Sequence, residues 1–304
     1  MEGAYYNGQY LNRLERLGYS QAEIDNKLES TFEEMFYGPE GVRLCHCAGP
    51  DMMYIEDTGN HDVRTEGMSY AMMFCVQMNR QKEFDCLWRW VVTHMYLTEG
   101  ENAGYFAWSC HTDGSKNSDG PAPDGEEFFA MSLFFAANRW GSGEGVLDYA
   151  SWARRILHAC VHKGEEAGSG FPMWNPENHL IKFIPNCEFT DPSYHLPHFY
   201  ELFALWSDEC DRPFWHAAAA ASRQYLRKAC HARTGLSAEY AEYDGRPHRG
   251  DQPDRHDWFF SDAYRTLGNV ALDAQWFGDK DGWAQETAAH IQHCLLYTSD
   301  AADE

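Results

Sequence analysis

Asp62-Val63-Arg64-Thr65-Glu66-Gly67-Met68-Ser69-Tyr70-Ala71-Met72-Met73 places a carboxylate, Glu66, at the mouth of an apolar helix behind a loop rich in charge and glycine. From Thr65 to about Arg80 the apolar residues Met68, Tyr70 to Val76 (save none) and Met78 cover nearly the whole circumference, the mark of a helix buried on all sides. Three later stretches repeat the design: Pro123-Asp124-Gly125-Glu126-Glu127-Phe128-Phe129, Asp191-Pro192-Ser193-Tyr194-His195 and Phe260-Ser261-Asp262-Ala263-Tyr264-Arg265. Each is an acidic loop feeding a mostly apolar helix, over Glu126 to Trp140, Tyr194 to Trp206 and Ser261 to Asp273. Helices of this kind lying side by side in one direction would bring their acidic N-termini together.

Between these buried helices lie amphipathic ones, over Glu83 to Tyr96, Val146 to Lys163, Pro213 to Ala232 and Lys280 to His293. The alternation recurs at an interval of roughly 60 to 70 residues, an internal repeat at the level of pattern. Buried helices inside and amphipathic helices outside satisfy it, so the expected fold is all-α, an (α/α)6 barrel. A capping box at Ser20-Gln21-Ala22-Glu23 opens one more helix, to about Phe36, and the residues before it read as an irregular arm. About nine helices are then visible where a closed barrel of this class takes about twelve. The stretch Cys294 to Glu304 breaks the helical pattern and reads as a translated adapter sequence. The expectation is a single, C-terminally truncated catalytic domain over 1–293 followed by a non-native tail over 294–304.

Composition narrows the function. The net charge of −23 over 304 residues repels nucleic acid, anionic membrane surfaces and acidic polysaccharides, and is compatible with a neutral sugar. Aromatics make up 15%, with 11 Trp, more than packing alone usually calls for. No apolar run is long enough to span a membrane, and Met1 to Tyr6 lacks the basic start and apolar run of a signal peptide. The expected location is cytoplasmic, with the ten Cys reduced and mostly buried. Cys45-His46-Cys47 is too tight for a metal and no second pair follows at zinc spacing, so neither metal nor cofactor is expected.

Carboxylates and aromatics in one cleft are the equipment of glycosidic bond hydrolysis, in which one protonated carboxyl protonates the leaving oxygen and, with inversion, an ionised one activates water. Glu66 is a candidate acid: desolvation favours its protonated form, while the helix N-terminus favours the anion. Asp262 is a candidate base, although spacing alone does not separate it from Asp257 or Asp254. Trp108 and Trp258, in loops, are candidates either for stacking on sugar rings or for packing. His61, beside Asp62, reads as a loop hydrogen-bonding residue rather than a relay.

These stretches carry a resemblance. Asp62 to Tyr70, Pro121 to Glu127, Asp191 to Pro197 and Phe259 to Arg265, taken in order, resemble the motifs of glycoside hydrolase family 8. Tyr105 to Gly114 and Gly125 to Gly141 are most similar to its reducing-end xylose-releasing exo-oligoxylanases. The resemblance implies an inverting mechanism with Glu66 as general acid and Asp262 as general base. It also implies that Asp124 holds and distorts the sugar at the scissile bond and that Tyr194 positions the water, with Arg265 among the substrate-binding residues. The expected substrates are short neutral β-1,4-xylo-oligosaccharides. An endo-acting xylanase, chitosanase or β-glucanase is the second reading; a truncated, non-catalytic fragment that exposes inner helix faces is the third.

Overall fold

The computed structural model describes residues 2–166, 168–250 and 255–302. Among these, the helices are α1 (Ala4–Asn7), α2 (Arg13–Arg16), α3 (Gln21–Tyr37), α4 (Thr65–Gln77), α5 (Gln81–Trp90), α6 (Pro123–Trp140), α7 (Tyr149–His162), α8 (Pro197–Trp206), α9 (Arg212–Ala229), α10 (Arg265–Phe277) and α11 (Trp283–Ala302). Two short antiparallel ribbons accompany them: β1 (Cys45–Cys47) with β2 (Met53–Ile55), and β3 (Asp62–Arg64) with β4 (Ser109–His111). No helix among the described residues is long and apolar enough to cross a membrane. The chain divides into two compact units, one of Tyr10–Ala159 and one of Met1–Gln9 with Cys160–Glu304.

In the unit Tyr10–Ala159, α4 and α6 are the buried helices. Met68, Met72, Cys75 and Val76 of α4 and Phe129, Met131, Leu133 and Phe134 of α6 are almost wholly withdrawn from solvent. Each such side chain contributes about 1.5–3 kcal/mol by burial. The predicted amphipathic helix over Glu83 to Tyr96 is real but changes winding. It is α-helical to Trp90 and then makes a π-helical turn over Val91–Met95. Beside that turn the Thr93 hydroxyl donates to the Arg89 carbonyl, 2.7 Å, a side-chain bond that competes with the regular ladder. The predicted capping box forms: Ser20 Oγ accepts from the Glu23 amide at 3.3 Å and Glu23 Oε2 from the Ser20 amide at 2.8 Å. The arm before it is not wholly irregular, since it contains α1 and α2.

In the second unit, α8 packs on α9 through an edge-to-face aromatic group, Trp174, Phe203 and Trp215. Arg223, on the side of α9 that the pattern assigns to solvent, instead joins three helices. It donates to Glu201 of α8 at 2.5 Å and to Asp273 of α10 at 2.7 and 2.9 Å. Of α10 itself, only Thr266 and Val270 are buried, fewer than its apolar pattern predicts. Its packing partners in this unit include α1, α8 and α11, and most of its other residues are only partly buried. The helical break expected at Cys294 is absent: α11 runs on to Ala302. Leu295, Leu296, Ala301 and Ala302 are good helix formers, and no Gly or Pro interrupts them. All ten cysteines are free thiols, six of them buried.

Candidate active site

One group of candidate residues is built where α4 and α6 begin together. Thr65 opens α4 with its amide donating to the Trp108 carbonyl, 3.0 Å, so the helix starts where the β3–β4 ribbon ends. Glu66 follows, half-buried, and its Oε2 accepts from the Thr65 hydroxyl at 3.3 Å. Asp124 holds the matching position on α6, just after Pro123, and is 2% exposed, with Oδ1 accepting from the Gly125 amide at 3.0 Å. Gly125 explains how close the two helix mouths lie. A Cβ there would stand 2.5 Å from Thr65 Cβ and 2.6 Å from its Oγ1, which no real packing allows. Gly125→Ala is therefore expected to force α4 and α6 apart, at a cost of about 1–3 kcal/mol, the usual range for overpacking. Denaturant unfolding measures that cost, and an unchanged midpoint would contradict it.

Beneath these two carboxylates lies a third that the sequence reading missed. Glu126 is 1% exposed and its Oε1 accepts from the Phe106 amide at 3.0 Å. Burial pushes its carboxyl well above the usual carboxylate range, and the charges of Asp124 and Glu66 push the same way. Both effects favour the neutral form of Glu126 beside the other two carboxylates. The ribbon supplies the wall: Asp62 accepts from Ser109 Oγ at 2.9 Å and from Arg64 Nε at 3.0 Å, and the Arg64 guanidinium lies 5.2 Å from the centre of the Trp108 ring. Trp108, half-buried, is thus a wall residue already stacked on a cation. His61 has positive φ, +54°, and is tied to Glu56 at 2.9 Å, a loop contact rather than a relay.

A second group belongs to the unit that contains α8 to α11. Asp262 sits in a 3-10 turn, Ser261–Tyr264, that leads into α10, where a continuous α-helix was expected from Ser261. The preceding Ser261 has φ +41°, so the chain enters this turn sharply. One turn on, Arg265 Nη2 approaches Asp262 Oδ2 to 2.5 Å, and its guanidinium lies 5.6 Å from the Tyr194 ring centre. Tyr194, 5% exposed, closes a second 3-10 turn, Pro192–Tyr194, which Asn269 of α10 anchors by donating to the Ser193 carbonyl at 2.7 Å. His195 fixes the same loop from below, bonded to Thr190 Oγ1 at 3.0 Å and Ser222 Oγ at 2.9 Å; burial lowers its pKa to about 3 and keeps it neutral. Trp258 is 55% exposed, which fits a stacking platform, and Arg255 covers one ring face at 3.8 Å. Asp257 pairs with the same Arg255, at 3.1 Å, whereas Asp254 lies outside the described residues.

Two more carboxylates here escaped the sequence reading. Asp191, a turn residue in the sequence, is 1% exposed and accepts from the Ser193 amide at 2.6 Å. Burial pushes its pKa to about 8, with Asp262 adding to the rise and Arg265 opposing it. Glu239, 5% exposed, is held by His256 Nδ1 at 2.6 Å; burial raises its pKa and the Asp262 charge adds to that. The sign for stability follows. Unfolded Asp191 releases its proton near pH 4, folded Asp191 near pH 8, so its contribution to stability is whole below about pH 4 and is lost as pH rises to about 8. Asp191→Asn is expected to flatten the fall of Tm across that window. Parallel Tm–pH profiles for variant and parent would refute this.

The structure thus brings Glu66 next to Asp124 in one unit, and Asp262, Arg265 and Tyr194 together in the other. A family model for glycosyl hydrolases family 8 matches residues 19–302. The chain is 55% identical over 292 residues to a reducing end xylose-releasing exo-oligoxylanase of Halalkalibacterium halodurans, covering 96% of this chain and 74% of that one. It is 57% identical over 295 residues to the reducing-end xylose-releasing exo-oligoxylanase Rex8A of Paenibacillus barcinonensis, covering 96% and 76%. The solved structure of Rex8A complexed with xylose matches with a TM-score of 0.93 at 56% identity, over 96% of this chain and 77% of that one. The (α/α)6 barrel expected from the alternation of helices is the fold class of these structures.

Proposed function

The chain belongs to glycosyl hydrolase family 8, and from that premise we propose that it is an inverting glycosidase that releases xylose from the reducing end of short β-1,4-xylo-oligosaccharides. The observation that carries this reading is identity above one half, sustained over 96% of the chain, to relatives named for that reaction. The acid surface agrees with it, because a neutral oligosaccharide is not repelled by a net charge of −23.

In this reading Glu66 gives its proton to the oxygen of the departing xylose, while Asp262 takes a proton from the water that attacks the anomeric carbon from the opposite face. Asp124, rigidly held at the start of α6, binds the sugar beside the scissile bond and favours its distorted ring. Tyr194 orients the water, with Arg265 placed against both its ring and Asp262. Trp108, Trp258 and Arg265 bind the sugar chain. Burial raises the pKa of Glu126 near Glu66 and Asp124, and of Asp191 and Glu239 near Asp262, which favours their neutral forms. A cytoplasmic setting is part of the proposal, supported by ten free thiols of the kind that a reducing compartment maintains.

The reading is tested by incubating the protein with xylotriose and following the products by proton NMR. Xylose and xylobiose are expected, with the newly formed reducing end appearing first as the α-anomer. Appearance of the β-anomer would exclude inversion. Faster release of long products from polymeric xylan than of xylose from the trimer would favour an endo-acting enzyme instead.

A further inference from the structure

We infer that Glu239 is a positioning residue for the general base: its buried carboxyl, tied to His256 and to Ser261, sets the aim of Asp262. Asp262 is the base in the reading proposed above, and on that reading the role of Glu239 rests. All of these residues lie in the unit that contains α8 to α11.

The turn that carries Asp262 is poorly held by its own residues. It is entered through exposed Ser261 at φ +41°, a conformation that a serine keeps only where neighbours impose it, and no side chain caps its start. The hold comes from the extended stretch Glu239 to Ala241. The Glu239 amide donates to the Trp258 carbonyl at 2.8 Å and the Tyr240 amide to the His256 carbonyl at 2.9 Å. Ala241 and Thr190 exchange two backbone bonds of 2.9 Å, and Thr190 leads into the Pro192–Tyr194 turn. One stretch of backbone is thus bonded both to the approach to Asp262 and to the approach to Tyr194.

The Glu239 side chain adds the last constraint. Its Oε2 meets His256 Nδ1 at 2.6 Å, and Ser261 hydrogen-bonds the same carboxyl, so it grips the base's segment at both ends. The His256 ring is stacked on Tyr240, 4.3 Å between centres and 13° between planes. Tyr240 packs on Phe183, 4.3 Å, and Phe183 stacks on Tyr194, 6.0 Å. Glu239 is also near enough to Asp262 for that charge to act on it. Stability alone does not account for the arrangement, since taking a carboxyl out of water costs about as much as such a pair returns. Removing the carboxyl would leave the backbone bonds that place Trp258 and free the turn that aims Asp262. A displacement of about 1 Å in a reacting group can cost 10²-fold in rate.

The test compares Glu239→Ala, Ser261→Ala and Asp262→Asn on xylotriose and on β-xylobiosyl fluoride, whose fluoride departs without protonation. Glu239→Ala should lose about 10–10²-fold in kcat on both substrates, with KM held because Trp258 stays in place. Since Glu239 is buried, Ser261→Ala keeps the test open if that variant folds poorly: it removes only an exposed hydroxyl and should lose kcat in the same sense, by less. Azide, a nucleophile that needs no base, should restore part of the fluoride rate in all three variants and give the α-azide. A merely structural Glu239 would lower Tm and the folded fraction, which azide does not repair. Unchanged kcat in Glu239→Ala and Ser261→Ala beside a loss in Asp262→Asn would overturn the role of Glu239 alone, as would losses that azide leaves untouched. Full activity of Asp262→Asn would instead remove the base, and the role of Glu239 with it.

Discussion

Glu66→Gln is expected to lower kcat on xylotriose by about 10²–10⁴-fold, the range that a positioned general acid supplies. The amide keeps the size of the side chain and can still accept from the Thr65 hydroxyl, but it has no proton for the leaving oxygen. The bland alternative is that Glu66 only complements the N-terminus of α4. That interaction is typically worth about 0.3–1 kcal/mol, so a purely structural Glu66 would cost a modest shift in Tm and little activity. Leaving-group chemistry separates the two. Fluoride departs without protonation, so β-xylobiosyl fluoride should be hydrolysed by variant and parent at rates within about tenfold of each other. If the fluoride and xylotriose rates fell together, Glu66 would not be the proton donor.

How much of this could be read before folding is best seen in particular residues. Glu66, Asp124 and Asp262 each stand where an acidic loop meets an apolar helix, which singles out the stretches, but their roles, and the choice of Asp262 over Asp257 or Asp254, rested on the family resemblance. Glu126 was not. In Gly125-Glu126-Glu127-Phe128-Phe129 the sequence shows two acids in an apolar helix without saying that both turn inward, and it is burial that raises the pKa of Glu126. Asp191 likewise looks like any aspartate before proline until the fold removes its solvent and sets Arg265 nearby. The charged side of α9 misled for the converse reason. Periodicity assigns Arg223 to water, but two carboxylates on neighbouring helices make its partial burial favourable. The tight approach at Gly125 was also invisible, because it depends on where Thr65 stands in space. The alternation of buried and amphipathic helices carried the fold class; the entry turns at Ser261 and Pro192, which aim Asp262 and Tyr194, came only with the structure.

Asp262→Asn should lose a similar 10²–10⁴-fold in kcat, but with the opposite response to the substrate. Without a base the attacking water keeps its proton whatever leaves, so the β-xylobiosyl fluoride rate should fall along with the xylotriose rate. Folding does not account for the loss. Asp262 is partly exposed, its side chain 39% accessible, and an ion pair such as that with Arg265 contributes about 0–1 kcal/mol at such a site. Azide supplies the discriminating measurement, because it attacks carbon without deprotonation. In Asp262→Asn, azide should restore part of the fluoride-consuming rate and yield the α-xylobiosyl azide, the product of attack opposite the departing β-fluoride. In Glu66→Gln azide should restore nothing on xylotriose, since the missing step there is protonation. A β-azide would require a covalent intermediate on a residue other than 262 and would exclude a single direct displacement. An unchanged kcat in Asp262→Asn on both substrates would remove Asp262 from the reaction and leave its contact with Arg265 as its only role.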